Sequence, residues 1–192
     1  MRRVLETSRL ILRELAQDDY PSLAAIVQDE QTMYAYEGPF SDAETQAWLD
    51  KNILRYKQDG FGLWAVILRE SGAMIGMAGL TWQSIGESKV LEIGYLLNRR
   101  YWGMGFAIEA AKACKEYAFS VLEANEVYSI IRDTNIASMN VAIRNGMLVS
   151  GRFVKKYRGI AMPHLVFRTC ILFTSDAADE EDSGDVGGCG TI

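Results

Sequence analysis

A chain of 192 residues with 49% hydrophobic and 23% charged side chains has the composition of an ordinary globular protein. It has room for one domain with a sizeable core, since domains commonly hold roughly 100–200 residues. The net charge of −5 is a property of the C-terminus, where Asp176, Asp179, Glu180, Glu181, Asp182 and Asp185 stand without a basic residue. The rest is near neutral, which argues against a nucleic-acid-binding face.

In chain order, Ser8 to Leu15 alternates Leu10 and Leu12 with Arg9 and Arg13 and reads as a first strand. Gln17-Asp-Asp-Tyr-Pro21 opens a helix with Asp at the cap and Pro in the first turn, burying Leu23, Ile26 and Val27. Gln31 to Phe40 is an aromatic loop. Ser41-Asp-Ala-Glu44 is a capping box, and the helix it starts presents Trp48, Leu49, Ile53 and Tyr56 inward. Gly60-Phe-Gly62 ends that helix. Leu63–Leu68 and Met74–Trp82 form a hairpin around Glu70-Ser-Gly72, and a turn at 84–88 leads into a strand over Leu91–Leu97.

From about Gly105 the period changes to that of a helix ending near Ala118, with Ala107, Ala110, Ala111, Cys114 and Ala118 in a small-residue stripe. Glu126–Arg132 reads as a strand, and Ile136–Asn145 as a short helix stopped by Gly146. Leu148–Tyr157 and Pro163–Phe173 read as two strands around Arg158-Gly159. No internal repeat is visible. Residues 1–174 form a single domain on this reading, and 175–192 is an acidic Gly/Asp-rich tail too poor in apolar groups to order itself.

The segment of most chemical interest is Tyr101-Trp-Gly-Met-Gly-Phe-Ala107, between a strand and a helix. A glycine turn at a helix N-terminus offers unpaired N–H groups and the positive end of the dipole to an anion. It is not a nucleotide-triphosphate loop, which needs Gly-Lys-Ser/Thr where Phe106-Ala107 stands, and Gly103-Met-Gly105 lacks the third glycine of the dinucleotide fingerprint. The alternative is a turn whose glycines only permit close packing.

The segment resembles the acyl-CoA pyrophosphate loop of the GNAT N-acetyltransferases, Gln/Arg-x-x-Gly-x-Gly/Ala. Two registers fit, Arg100-x-x-Gly103-x-Gly105 and Trp102-x-x-Gly105-x-Ala107; the second is similar to the branch that acetylates ribosomal-protein N-termini, the Rim-type enzymes. The resemblance implies that the backbone of Trp102, Gly103, Met104, Gly105, Phe106 and Ala107 cradles the pyrophosphate, with Arg100 beside it. A second signature, Asn135-Ile-Ala-Ser138 before Gly146-Met147, resembles the family segment that flanks the pantetheine arm, although Asn135 also reads as a plain N-cap. The element order β-α-α-β-β-β-α-β-α-β-β matches that fold across residues 8–173. It implies an α/β (α+β) GNAT fold with a central mixed, mostly antiparallel sheet of about seven strands and about four flanking helices.

The implied chemistry is transfer of an acetyl group from acetyl-CoA, without a metal, to a primary amine in a ternary complex. The acceptor is the N-terminal α-amine of a protein or peptide, or a small amine. In the family the pantetheine runs along the central strand, so Tyr95, Leu96 and Leu97 are expected to present amides that polarise the thioester. Glu92, the only carboxylate on that strand, is the candidate base that takes the amine's proton, or else a solvent-exposed strand residue. Ser138 is the candidate donor to the departing thiolate, with Tyr128 or water as rivals. Tyr34, Tyr36 and Glu37 belong to the loop that borders the acceptor groove in the family, and His164, the only histidine, is a further acceptor-site candidate.

A different class of function also fits: an acyl-CoA sensor of the same fold that keeps the loop and lacks turnover. Cys114, Cys170 and Cys189 share no metal-binding spacing, and no run reaches the ~18 apolar residues of a membrane span. The start lacks the apolar core of a secretion signal. A cytoplasmic monomer or homodimer, with no nucleic-acid or membrane partner, is the resulting expectation.

Overall fold

The structure is a computed structural model and describes residues 1–36, 38–157 and 160–171. Both the acidic tail 175–192 and Glu37 lie outside the described residues. Among the described residues eight strands form one sheet: β1 (Arg3–Glu6), β2 (Leu10–Arg13), β3 (Leu63–Leu68), β4 (Met74–Ile85), β5 (Ser88–Leu97), β6 (Glu126–Arg132), β7 (Leu148–Tyr157) and β8 (Ile160–Cys170). Their spatial order is β1-β2-β3-β4-β5-β6-β8-β7. Every neighbouring pair is antiparallel except β5 and β6. Among the described residues four α-helices flank the sheet: α1 (Tyr20–Val27), α2 (Asp42–Gln58), α3 (Phe106–Ser120) and α4 (Ile136–Arg144).

The sheet therefore has eight strands where the sequence suggests about seven. β1 is the addition; it is a short edge strand whose Val4 and Leu5 are only half-buried, so its apolar alternation is weak. The β4–β5 hairpin is also longer than the sequence suggests, with strand pairing up to Ile85 and Ser88 around a left-handed Gly86.

Two cores lie on opposite faces of the sheet. β3 is buried on both faces, as its unbroken Leu-Trp-Ala-Val-Ile-Leu run requires. Trp64 and Val66 face α3, where Ala110, Ala111, Cys114 and Ala118 let the helix lie close to the strands. Ala65 and Ile67 face Leu23, Ile26, Val27 and Leu49 of α1 and α2. The capping box of α2 forms as the sequence suggests: Ser41 Oγ accepts from Glu44 N–H, and Glu44 accepts from Ser41 N–H. The inner face of α2 differs in part. Leu49 is fully buried, but so are Thr45 and Asn52, whose polar groups bond to carbonyls one turn earlier in the same helix.

Asp19 stands at the N-cap position of α1, yet its carboxylate does not cap the helix. It accepts a two-pronged bond from Arg13, 2.7 Å on each prong, and a third from Ala16 N–H at 2.8 Å. Burial by itself would raise the Asp19 pKa, but the Arg13 fork and the Ala16 amide outweigh it and hold the carboxyl below its usual range. Asp19→Ala leaves Arg13 without its partner in a mostly buried site and is expected to cost about 3–5 kcal/mol in a denaturant titration. The contribution of Asp19 should be complete above the ordinary aspartate pKa of about 3.9 and be lost as pH falls through the lower folded value. A cost under about 1 kcal/mol would reduce the pair to a surface contact.

Candidate active site

β5 and β6 run parallel, but their register holds only at Glu92 and Tyr128. Beyond that point the backbones part, and side chains take the place of the ladder. Ser129 Oγ donates to the Ile93 carbonyl at 2.9 Å, and Ile130 N–H donates to Glu92 Oε1 at 3.2 Å. The indole of Trp102 donates to the Leu97 carbonyl at 2.7 Å. Because alternate residues of a strand point their backbone groups to the same side, Tyr95, midway between Ile93 and Leu97, turns its N–H and C=O into the gap. Leu96 is turned toward Met77 of β4 and packs against the second core. Of the three amides expected at the thioester, those of Tyr95 and Leu97 thus face the opening.

At one end of the gap the chain passes through the glycine turn into α3. Gly103 and Gly105 have φ of 75° and 80°, in the left-handed region that favours glycine. Gly105 is the N-cap of α3, and no side chain caps the helix. The first intrahelical bond runs from Glu109 N–H to the Gly105 carbonyl, so the amides of Phe106, Ala107 and Ile108 have no acceptor within the helix. A Cβ at Gly105 would meet nothing nearer than the Arg9 guanidinium, at 3.4 Å. The donors, the dipole and the open space fit a diphosphate. Phe106 is buried and Ala107 half-buried against the main core, while Met104 is exposed. Trp102 spends its single N–H on Leu97, so its indole anchors the turn to the end of β5 and leaves anion contact to the backbone. Arg100 is exposed, in the short turn after β5, where it lines a small hollow with Asp29 and Arg99.

Across the gap stands the N-terminus of α4. Asn135 caps it, its Oδ1 accepting from Ser138 N–H at 3.0 Å and from Tyr34 Oη–H at 2.8 Å. Tyr34 also packs edge-on against Trp102, with ring centroids 6.2 Å apart. The Tyr95 hydroxyl donates to the Ser138 carbonyl at 2.7 Å. Residues that the sequence offers separately are thereby joined: the loop after α1, the glycine turn, β5 and α4 meet around one opening.

Glu92 lies where the strands begin to part. It is half-buried. Burial pushes its carboxyl above the usual range, against the opposing pull of Lys155, the Ile130 amide, Thr81 and Gln83. Directly opposed residues in neighbouring strands share a face, which places Thr81, Glu92, Tyr128 and Arg168 on one face, and Arg132, His164 and Phe153 further along it. That face opens at its far end into a cavity of about 330 Å³ lined in part by Val90, Tyr128, Val166 and Arg168.

Tyr36 is half-exposed as a residue, but its hydroxyl end is deep enough that burial, and then the Glu92 charge, push its pKa up to about 12. Burial and the same charge raise the pKa of Tyr95, which stays protonated at neutral pH. Arg132 donates to the carbonyls of Ala35 and Tyr36 at 3.4 and 3.3 Å and so ties the loop to β6. His164 Nδ1 donates to the Met162 carbonyl at 2.8 Å; burial lowers its pKa, so the ring is neutral, stacked on Phe153. Tyr128, the rival acid, donates its hydroxyl to Glu126 at 2.6 Å. Among the described residues no group of three metal-binding side chains gathers. Lys155 is a neighbour of Glu92 that the sequence does not single out, because nothing local links the two.

A parallel strand pair that splays beside a glycine turn and an uncapped helix makes a groove with an anion-receptive end, and comparison with known proteins gives its family. Residues 9–148 match the acetyltransferase (GNAT) domain, and the chain belongs to that family. It is 33% identical over 159 residues to the uncharacterized protein YkkB of Bacillus subtilis, covering 82% of this chain and 92% of the relative. To the uncharacterized N-acetyltransferase YnaD of the same organism it is 32% identical over 152 residues, covering 79% and 86%. Among solved structures, the RimL ribosomal L7/L12 α-N-protein acetyltransferase in complex with coenzyme A superposes with a TM-score of 0.71. It is 20% identical, covering 88% of this chain and 98% of that one, a likeness of fold. Among the described residues no helix is long and apolar enough to cross a membrane.

Proposed function

We propose that the protein moves an acetyl group from acetyl-CoA to a primary amine, and that the amine is the N-terminal α-amine of a peptide or protein. The observation that carries this reading is the placement of Glu92. It is a half-buried carboxylate of raised pKa at the point where β5 and β6 part, facing away from α3 on the side of the sheet that carries Thr81 and Tyr128. A donor thioester laid along the Tyr95–Leu97 edge has its carbonyl near the strand amides. An amine arriving from the side that carries Thr81 and Tyr128 has Glu92 within reach, directly or through one water.

In this mechanism the amine nitrogen bonds to the thioester carbon while its proton passes to Glu92. The Tyr95 and Leu97 amides hold the developing oxyanion. The carbon–sulfur bond then breaks, the thiolate takes a proton from the Ser138 hydroxyl, and solvent water returns a proton to Ser138 as Glu92 releases the one it took. Ser138→Ala is expected to lower kcat by about 10-fold with little change in the affinity for acetyl-CoA. An unchanged rate would transfer that role to the protonated Tyr95, which Tyr95→Phe then tests.

An α-amine, with a pKa of about 7.7–8.0 against about 10.4 for lysine, asks less of a single carboxylate base. The fold likeness to an enzyme named as a ribosomal α-N-protein acetyltransferase favours the same class. The deciding experiment compares kcat/KM for short peptides with free and with blocked N-termini, beside spermidine and an aminoglycoside. Preference for the free N-terminus is the expected result. Activity confined to the blocked, lysine-containing peptide or to the small amines would overturn the acceptor assignment.

A further inference from the structure

The first turn of α3 carries a carboxylate, Glu109, whose surroundings are unlike those of an ordinary surface acid. Its Oε1 accepts from Thr7 Oγ at 2.6 Å, Ser8 Oγ at 3.1 Å and Arg9 N–H at 2.9 Å. Its Oε2 accepts from Arg9 Nε and pairs with Arg9 Nη2, both at 2.6 Å. The remaining prong of the guanidinium, Nη1, donates to the Met104 carbonyl at 3.0 Å, and the group lies over the Phe106 ring, 4.4 Å from its centre. One arginine from the turn between β1 and β2 thus holds both the glycine turn and the helix that follows it.

We propose that Arg9 and Glu109 are positioning residues for the acyl donor's diphosphate, Arg9 fixing the peptide plane between Met104 and Gly105 and cancelling the Glu109 charge. The inference rests on the acetyl-CoA reading and adds the means by which the binding turn is kept in a receptive form.

Two physical arguments carry it. A trans peptide unit points its carbonyl and its N–H in opposite directions, and the chain has no cis bonds among the described residues. With the Met104 carbonyl drawn onto Arg9, the Gly105 N–H is directed away from the guanidinium and stays free for an anion. Flanking glycines make the opposite orientation accessible, and a carbonyl turned toward a phosphate would repel it. The second argument is charge. Burial alone would raise the Glu109 pKa, but its hydrogen bonds to Thr7, Arg9 and Ser8 outweigh this and keep it ionised at neutral pH. An uncompensated carboxylate in the first turn of a helix competes with a bound anion for the same dipole. The Arg9 charge removes that competition.

The test uses two acetyl donors, acetyl-CoA and S-acetylpantetheine, which has no diphosphate. Arg9→Ala is expected to raise KM for acetyl-CoA by at least about 10-fold, with kcat within about 2-fold, and to leave kcat/KM for S-acetylpantetheine unchanged. Arg9→Lys restores the charge but not the fork that reaches both Glu109 and Met104. It should fold if Arg9→Ala does not, and its KM for acetyl-CoA should lie between those of the other two proteins. Equal losses with both donors would make Arg9 a general structural residue and overturn the proposal, as would an acetyl-CoA KM within about 2-fold in both variants. Calorimetry of the unaltered protein with coenzyme A separates the two levels. No binding there would remove the donor assignment itself, whereas binding that is equally tight in the Arg9 variants would remove only the role given to Arg9.

Discussion

Glu92→Gln is expected to lower kcat by on the order of 10²-fold or more while the affinity for acetyl-CoA changes little. The amide keeps the size of the side chain, and its oxygen can still accept from Ile130 N–H as Glu92 does at 3.2 Å. What it lacks is the capacity to take a proton. The pH profile gives a second readout. Because burial raises the Glu92 pKa, kcat/KM of the unaltered protein should fall as pH drops through a value above the ordinary glutamate figure of about 4.3, and the variant should lose that limb.

Stability should move the other way. A group whose folded pKa is raised contributes stability that is complete below the unfolded pKa and is lost as pH rises through the folded one. Above its folded pKa the ionised Glu92 therefore costs stability, and Glu92→Gln is expected to leave Tm there unchanged or higher. A fall in activity confined to the KM for acetyl-CoA, or one that tracks a loss of several degrees in Tm, would make Glu92 a structural residue.

Gly105→Val is expected to weaken acetyl-CoA binding by on the order of 10²-fold in calorimetry. The residue has φ of 80°, where a β-branched side chain is strained by roughly 1–3 kcal/mol. Crowding within the protein is not the cause, since the nearest atom to a Cβ there is Arg9 Nη2 at 3.4 Å. The strain is relieved if the turn changes shape, and that redirects the amides the diphosphate needs. Gly60 supplies the control: it has the same φ of 80° after α2, with nothing within 4 Å of a Cβ. Gly60→Val should lower Tm comparably and leave the affinity alone. Equal affinity for a folded Gly105→Val protein would place the diphosphate elsewhere.

What the sequence reveals here is what its local patterns encode. The Ser41–Glu44 box, the glycine turn before α3 and the Asn135 cap depend on neighbours within about four positions, and each forms as the spacing suggests. Asp19 departs from its local reading because Arg13, on β2, competes with the helix amides for its carboxylate. Reading β1 from sequence fails because an edge strand buries too little to show a strong alternation.

In the candidate site the division is sharper. Glu92 and the turn at 101–107 stand out in the sequence as candidates, but what orients them comes from about 40 to 100 residues away. Ile130 holds Glu92, Tyr34 reaches Asn135, and Arg9 reaches Met104 and Glu109. Such contacts leave no periodicity, and only the folded sheet, which sets β5 beside β6 and brings β2 under α3 and β6 under α4, displays them.

The most direct test mixes the protein with acetyl-CoA and a panel of amines, titrating free thiol while mass spectrometry follows the acceptor. The panel holds peptides with free and blocked N-termini, spermidine and an aminoglycoside. Thiol release matched one for one by acetylation at a primary amine, strongest for the free N-termini, is the expected result. Tight binding of acetyl-CoA with no thiol release above the rate without protein, across the whole panel, would contradict the account and make the chain an acyl-CoA-binding protein without turnover.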